Sequence, residues 1–214
     1  LISNDIKFKF ASVSKTHVLA ISQDDNLYGW GNNEFNCLGG NNSFYEEPYL
    51  LTTNSNILTC ANMDGFTSAF ITKEGCLYTW GAFQDCVGHP EIKRGTSISI
   101  PVPRKIQGLE NLVDVYMTYC TFVIDKDGVA YGFGDNQSGL LGNGSRDKTM
   151  LAPEKIDMID EKIGKIYNCG SVTFYITEQG KLYLSGDASI KQLNNNLGFD
   201  IDETVYYYPY EVDF

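Results

Sequence analysis

A unit of about 52 residues recurs four times along the chain, and this repetition constrains the fold more than any other feature. Each copy ends on four consecutive residues: a Tyr, a variable residue, a residue that is aromatic in three of the copies, and a Gly. The copies are Tyr28-Gly29-Trp30-Gly31, Tyr78-Thr79-Trp80-Gly81, Tyr131-Gly132-Phe133-Gly134 and Tyr183-Leu184-Ser185-Gly186. The closing glycines are 50, 53 and 52 residues apart. This regularity indicates tandem copies of one supersecondary unit.

Each copy predicts a β-hairpin. The first arm is a short apolar run, such as residues 18–21, and a polar turn follows it. Three copies place Gly75, Gly128 or Gly180 near the end of that turn, where Gly adopts the left-handed conformation without strain. The first copy has Asp25-Asn26 instead, residue types that tolerate positive φ.

Further strands flank each hairpin. One is predicted before each hairpin, at residues 6–11, 57–61, 112–117 and 163–167. Another follows each hairpin and is predicted to begin at Pro48, Pro103, Pro153 and Pro209, because a Pro at a strand start costs no ladder bond. The repeats then span approximately 6–51, 57–106, 112–156 and 163–212 of a single all-β propeller domain or sector, 1–214. No segment shows a sustained helical period.

Composition narrows the class of partner. The chain has 214 residues, 43% of them hydrophobic, which is enough for a real core. Its formal net charge of −11 repels phosphate backbones, so we expect no direct nucleic-acid partner. A basic protein surface is the more plausible partner, and the competing interpretation is that the acidity only provides solubility.

Cysteine and histidine usage points to an intracellular protein without a cofactor. The six Cys form no Cys-x-x-Cys pair, and a chain of this size needs no disulfides, so we expect mostly buried free thiols in a cytoplasmic or nuclear setting. Only His17 and His89 could serve as imidazole ligands, which disfavours a zinc site. The first residues do not read as a signal peptide, and no apolar run is long enough for a membrane span.

Several pieces of the repeat resemble the regulator-of-chromosome-condensation (RCC) repeat family. Its repeats carry a His-Thr-Leu-Ala-Leu-like strand, an Asp-Gly turn, a Tyr-x-Trp-Gly end and a Gly-Gln-Leu-Gly-like turn. The matching pieces here are residues 17–21, Asp127-Gly128, residues 28–31 and residues 139–142. The likeness covers roughly residues 6–212.

The resemblance implies a β-propeller, usually of seven blades. Four repeats would form a sector with open edges, so we expect further repeats in the same parent chain or in another chain. A tight four-bladed ring is the alternative. The copies also depart from the family pattern: only the first keeps His at the strand start, the fourth has Ser185 in place of Trp or Phe, and the second has Cys86-Val87 in its turn.

The same resemblance implies binding rather than catalysis. The first hypothesis is a protein-interaction scaffold that presents loops to a protein partner. The second is a guanine-nucleotide exchange factor for a Ran-like small GTPase, which needs no catalytic motif of its own. A third, a secreted bacterial inhibitor, would need a secretory segment that this sequence lacks. The matching aromatics Trp30, Trp80 and Phe133 are expected in blade cores rather than in a ligand cage.

Two segments are candidate partner contacts. The loop of residues 88–97 is longer than its counterpart at 39–48, and it carries His89, Glu91, Lys93 and Arg94. Function concentrates on such loops, although ordinary variation in loop length is the alternative. His89 is expected on the surface. The second segment is the tyrosine run that contains Tyr206 and Tyr207, which could instead pack into a blade.

Overall fold

The computed structural model describes residues 6–52, 56–63, 66–82, 84–91, 99–188 and 205–212. Within these ranges the chain forms sixteen strands and two single-turn 3-10 helices, at Gln84–Cys86 and Gln137–Gly139. The first sheet contains β1 (Phe8–Val13), β2 (His17–Ser22), β3 (Leu27–Asn32) and β4 (Phe44–Leu50). The second contains β5 (Ile57–Met63), β6 (Thr67–Thr72), β7 (Leu77–Gly81) and β8 (Ile100–Lys105).

The other two sheets repeat this arrangement. The third contains β9 (Leu112–Met117), β10 (Cys120–Asp125), β11 (Ala130–Asp135) and β12 (Thr149–Ile156). The fourth contains β13 (Ile163–Cys169), β14 (Val172–Thr177), β15 (Leu182–Asp187) and β16 (Val205–Glu211). In every sheet the strands lie side by side in chain order and pair antiparallel, so each repeat forms one four-stranded sheet.

The closing glycine of each repeat serves the same purpose in all four sheets. Gly31, Gly81, Gly134 and Gly186 have φ between 107° and 116°, a region that L side chains rarely adopt. A Cβ at Gly81 would lie 2.0 Å from the carbonyl oxygen of Phe66. This close approach lets the next amide, that of Ala82, donate to the same oxygen at 2.8 Å.

The prolines lie inside the outer strands, so the prediction that they begin those strands is wrong. β4 starts at Phe44, four residues before Pro48, and the other three outer strands also start before their Pro. The ladder shows why: Gly29 pairs with Tyr49 and Gly31 with Tyr45, so three residues bulge opposite Trp30. Pro48 is the last of the three. A bulge on an edge strand has no ladder bond for Pro to break.

The core lies between successive sheets. Leu19, Ile21 and Leu27 of the first sheet pack against Phe70 and Trp80 of the second. Equivalent apolar clusters join the second sheet to the third and the third to the fourth. The second and third sheets therefore each bury their two faces against different neighbours.

A hydroxyl bond reinforces each of these junctions. Ser68 donates to the carbonyl of Cys37 at 2.6 Å, Thr121 to that of Cys86 at 2.8 Å, and Thr173 to that of Leu140 at 2.8 Å. Each donor is the second residue of its strand, and each acceptor lies in the turn of the preceding repeat. The first sheet has Val18 at this position.

All six cysteines are free thiols, and four of them are buried. Burial raises the pKa of the Cys37, Cys60 and Cys120 thiols to about 12, so these thiols stay protonated near neutrality. Separately, no helix in the described ranges has the length and apolar character needed to cross a membrane.

Candidate partner-binding site at the channel mouth

The first strands of the four sheets line a channel. β1, β5, β9 and β13 line an open cavity of 430 Å³ whose walls are formed mainly by residues 10–13, 59–62, 114–118 and 165–168. Successive first strands contact one another, as β1 does with β5 and β5 with β9. The repeats therefore bring together side chains that lie about 50 residues apart in the sequence.

The channel opens where the loops join the first and second strands of each sheet. A cavity of 340 Å³ lies there, and we call it the channel mouth. It is lined by residues 13–15, 62, 63, 66, 117–119, 168 and 170. All four repeats contribute, so the mouth exists only in the folded assembly of the sheets.

Apolar side chains form the rim of the channel mouth. Val13 is 70% exposed and Tyr119 is 56% exposed. Phe66 lines the cavity, and its ring centroid lies 4.9 Å from that of Phe35, which is also exposed. Exposed apolar and aromatic groups around a concavity are the usual anchors of a protein interface.

Asn62 holds one side of the mouth. Its Oδ1 accepts from the Ser12 hydroxyl at 2.6 Å, and its Nδ2 donates to the carbonyl of His17 at 2.9 Å. The His17 ring is buried and lies 3.1 Å from the Ser68 hydroxyl through Nε2. These bonds fix the first loop against the second sheet.

Asn168 holds the opposite side. Its Oδ1 accepts from Thr118 at 2.8 Å, and its Nδ2 donates to Thr173 Oγ1 at 2.8 Å. Thr173 in turn donates to the carbonyl of Leu140. These hydrogen bonds fix the backbone on which the apolar rim residues stand. Such preorganisation lowers the entropy cost of binding.

The channel mouth differs in charge from the rest of this acidic protein. Among the described residues that line it, Lys15 is the only Lys, Arg, Asp or Glu. Deeper in the channel, the Tyr116 hydroxyl donates to Asp114 at 2.6 Å, and Lys165 lies 3.5 Å from the same carboxylate. Burial and the Asp114 bond raise the pKa of Tyr116, so this phenol stays neutral.

His89 is buried, so the prediction of a surface histidine is wrong. Its side chain is 6% exposed, and its Nε2 lies 3.2 Å from the Thr79 hydroxyl, which itself donates to the carbonyl of Val87. Burial, aided by the nearby Arg104 cation, lowers the pKa of His89. His89 fastens its loop to strand β7 and presents no side chain to a partner.

Of the other candidate residues in the loop of residues 88–97, the structure describes only Glu91. Glu91 is exposed and pairs with Arg104 at 2.5 Å. Lys93 and Arg94 lie outside the described residues.

The two candidate tyrosines, Tyr206 and Tyr207, differ in burial. Tyr206 is buried in an apolar cluster with Val172 and Leu184, so its side chain is not available to a partner. Tyr207 is half-buried, and the Arg146 guanidinium lies 5.1 Å from its ring centroid. This contact joins the turn of the third repeat to the outer strand of the fourth.

The recurring aromatics lie on the third strand of each sheet. Trp80 and Phe133 are fully buried between sheets, whereas Trp30 is half-buried beside Phe8. Tyr28, Tyr78 and Tyr131 are half-buried at the start of this strand. The Tyr183 hydroxyl lies 3.0 Å from carboxylate oxygens of both Glu161 and Glu211.

Sequence reasoning missed the channel mouth. A usable signal existed: Phe66 and Tyr119 stand in short turns between strands, and Val13 ends the strand before such a turn. Turns normally carry polar residues, so exposed apolar residues at such positions suggest a functional surface.

Curated proteins with RCC1 repeats match this chain, although no family model does. The chain is 28% identical over 203 residues to the mitochondrial RCC1 domain-containing protein RUG3 of Arabidopsis thaliana, which covers 88% of this chain and 44% of RUG3. It is 32% identical over 135 residues to a Danio rerio protein RCC2 homolog, which covers 60% of this chain and 26% of that protein. The chain thus spans less than half the length of these relatives.

Solved structures share the fold. Saccharomyces cerevisiae Prp20p, described with its binding to Gsp1p and histones, aligns with a TM-score of 0.80 at 15% identity, over 100% of this chain and 52% of Prp20p. Human WBSCR16 aligns with a TM-score of 0.78 at 16% identity, over 96% of this chain and 52% of that protein. The four sheets therefore match successive blades of an RCC1-type β-propeller.

Proposed function

Because this chain is an RCC1-like repeat protein, we propose that it acts as a protein-interaction scaffold that docks a protein partner at the channel mouth. The observation that carries the proposal is the exposed apolar rim of Val13, Tyr119 and Phe35 on a hydrogen-bonded frame. Burying such groups against a partner removes apolar surface from water, which is the main driving force of association. The proposed action is binding, without catalysis or cofactor.

Charge suggests the kind of partner. The whole chain carries a net charge of −11, whereas the mouth itself lacks carboxylates among its described lining residues. A basic protein would be steered toward the acidic surface, and an apolar side chain of that protein would enter the mouth. The same acidity disfavours direct contact with nucleic acid.

Affinity capture with matched variants tests this proposal. The immobilised chain is incubated with extract, and retained proteins are quantified by mass spectrometry for the wild type, Tyr119→Asp and Val102→Asp. Val102 is 60% exposed on the outer strand β8, away from the mouth. We expect the retained partner, once purified, to bind Tyr119→Asp at least about tenfold more weakly and to bind Val102→Asp normally. Equal binding by both variants would place the interface elsewhere.

The second candidate function is nucleotide exchange on a Ran-like small GTPase. The observation that favours it is the similarity in fold to Prp20p, a protein studied for its binding to Gsp1p. The test is release of a fluorescent nucleotide from a panel of purified small GTPases. No acceleration at micromolar concentrations of this chain would eliminate exchange activity and leave the scaffold proposal intact.

The same proposal covers the number of blades and the location of the protein in the cell. The four sheets would be consecutive blades of a larger ring, seven-bladed as the family resemblance implies, with the remaining blades supplied by further repeats. An intracellular, cytoplasmic or nuclear, location is also proposed, supported by the six unpaired thiols.

A further inference from the structure

One buried thiol of the second repeat reaches the rim of the channel mouth. Cys86 ends the first 3-10 helix and is fully buried, and its Sγ donates to the carbonyl of Tyr119 at 2.6 Å. Tyr119 belongs to the third sheet, and its side chain is 56% exposed at the rim. The bond therefore joins a buried side chain of one repeat to the backbone of an exposed rim residue in the next.

The turn that carries Tyr119 is tied to both neighbouring sheets. It consists of Thr118 and Tyr119, between β9 and β10. On one side the Thr118 hydroxyl donates to Asn168 of the fourth sheet at 2.8 Å. On the other side the Cys86 thiol reaches the turn from the second repeat. The Tyr119 carbonyl also accepts from the Asp135 amide of its own sheet at 3.0 Å, so it keeps a partner even without the thiol.

The same repeat position is used differently in the other repeats. Cys37 occupies it in the first repeat and is also fully buried, but its thiol donates to the Asn32 carbonyl of its own repeat at 3.2 Å. Leu140 occupies it in the third repeat and has no polar group in its side chain. The fold therefore does not need a thiol at this position. Of these three residues, only Cys86 bonds through its side chain to the next sheet.

The surroundings of Cys86 suit a lasting donor. Burial raises the pKa of its thiol well above the usual range, so the thiol keeps its proton near neutrality. A thiol is a weak donor, but a hydrogen bond is electrostatically stronger in a buried site than in water. The backbone of the donor is fixed as well, since the Cys86 carbonyl accepts from the Thr121 hydroxyl at 2.8 Å.

We propose that Cys86 is a positioning residue for the channel mouth, where its thiol fixes the turn of Thr118 and Tyr119 and so holds the Tyr119 ring ready for the partner. The inference rests on the proposed docking function of the mouth. An aromatic anchor whose backbone is already fixed loses less conformational freedom on binding. Because Cys86 is fully buried, it acts only through Tyr119.

Three variants separate this role from ordinary packing. Cys86→Ala removes the donor, whereas Cys86→Ser keeps a donor in the form of a hydroxyl. Cys37→Ala is the matched control, because it removes an equally buried thiol from the same repeat position without touching the rim. Both alanine variants remove one sulfur from a fully buried site, so a difference between them at the rim does not come from lost packing.

Amide hydrogen exchange, followed by NMR, tests the positioning without any partner. The Thr118 amide donates to the Cys120 carbonyl at 2.8 Å and reports on opening of the turn. We expect this amide to exchange about fivefold faster in Cys86→Ala than in the wild type, the effect of losing one hydrogen bond. Cys86→Ser and Cys37→Ala should exchange at the wild-type rate. Equal rates in Cys86→Ala and the wild type would overturn the proposal.

Binding of the partner purified by affinity capture tests whether the position of the ring matters. Cys86→Ala should bind about fivefold more weakly, while Cys86→Ser and Cys37→Ala bind normally. Equal losses in the two alanine variants, or a Cys86→Ser chain as weak as Cys86→Ala, would assign the effect to packing and overturn the proposal. Normal binding by Cys86→Ala beside weak binding by Tyr119→Asp would overturn the positioning role alone. Normal binding by both would remove the docking function as well.

Discussion

The residue that begins the second strand of each sheet is buried, but its hydrogen bonding differs from sheet to sheet. The strand-start residue is His17, Thr67, Cys120 or Val172, and all four are buried. His17 reaches the Ser68 hydroxyl of the next sheet, whereas the shorter Thr67 has no hydrogen-bond partner for Oγ1 among the described residues. A buried hydroxyl without a partner costs about 1–3 kcal/mol of stability.

Thr67→Val should therefore keep or raise the stability of the chain. Val is nearly isosteric with Thr, and the chain itself uses Val172 at this position. We expect the free energy of unfolding in urea to rise by up to about 1 kcal/mol. Ser68→Ala is the control, because Ser68 bonds to both His17 and Cys37, and it should lose about 1–2 kcal/mol. A clear loss in Thr67→Val would show that its hydroxyl is satisfied.

His89 should make stability depend on pH. Its pKa in the folded chain is lowered from 6.5, so folding favours the neutral ring. The contribution is fully present above the unfolded pKa and is lost as the pH falls through 6.5 toward the folded value. The groups that face the ring are the Thr79 hydroxyl, Glu91 and Arg104.

The measurement is the urea midpoint from about pH 7.5 to pH 5 for wild type and His89→Gln. The wild type should lose more stability on acidification than the variant, which keeps a donor near Thr79 but cannot titrate. Parallel pH profiles for the two chains would contradict the burial of a neutral His89.

At the scale of strands and sheets, local patterns in the sequence predicted most of the structure. The hairpin arms and their left-handed turns followed from apolar runs next to Gly or Asp-Asn, because these signals act within a few residues. The outer strands were misplaced because the bulge opposite Trp30 and its counterparts depends on a partner strand. A bulged Pro and a strand-initial Pro look alike in sequence.

The closing glycine of the repeat supports a prediction at the scale of strands. Gly81→Ala should destabilise the chain by more than about 2 kcal/mol, because its φ is 116° and a Cβ would lie 2.0 Å from the Phe66 oxygen. Gly180→Ala is the matched control: its φ is also positive, but no atom of the described residues lies within 4 Å of the added Cβ, so the loss should be about 1 kcal/mol. Chemical unfolding of both variants measures their losses in the free energy of unfolding. Equal losses would refute the steric explanation.

At the scale of the whole molecule, the sequence could mark single apolar residues in turns, but it could not predict that they come together in one site. The fourfold repeat and its resemblance predicted the sheets and the class of fold, because each repeat carries its own pattern. The mouth depends on four loops that meet only after the sheets pack, so Val13 and Tyr119 gave no local sign of proximity. His89 was misjudged for the same reason, since its burial depends on a loop folding back on β7.

Site-specific photo-crosslinking tests whether a protein partner docks at the channel mouth. A photoreactive phenylalanine analogue is placed at position 119 on the rim of the mouth or at position 102 on the outer strand, two exposed sites on the same frame. Both chains are irradiated in extract. We expect a discrete protein adduct from position 119 and none from position 102. An adduct from position 102 alone would contradict docking at the mouth.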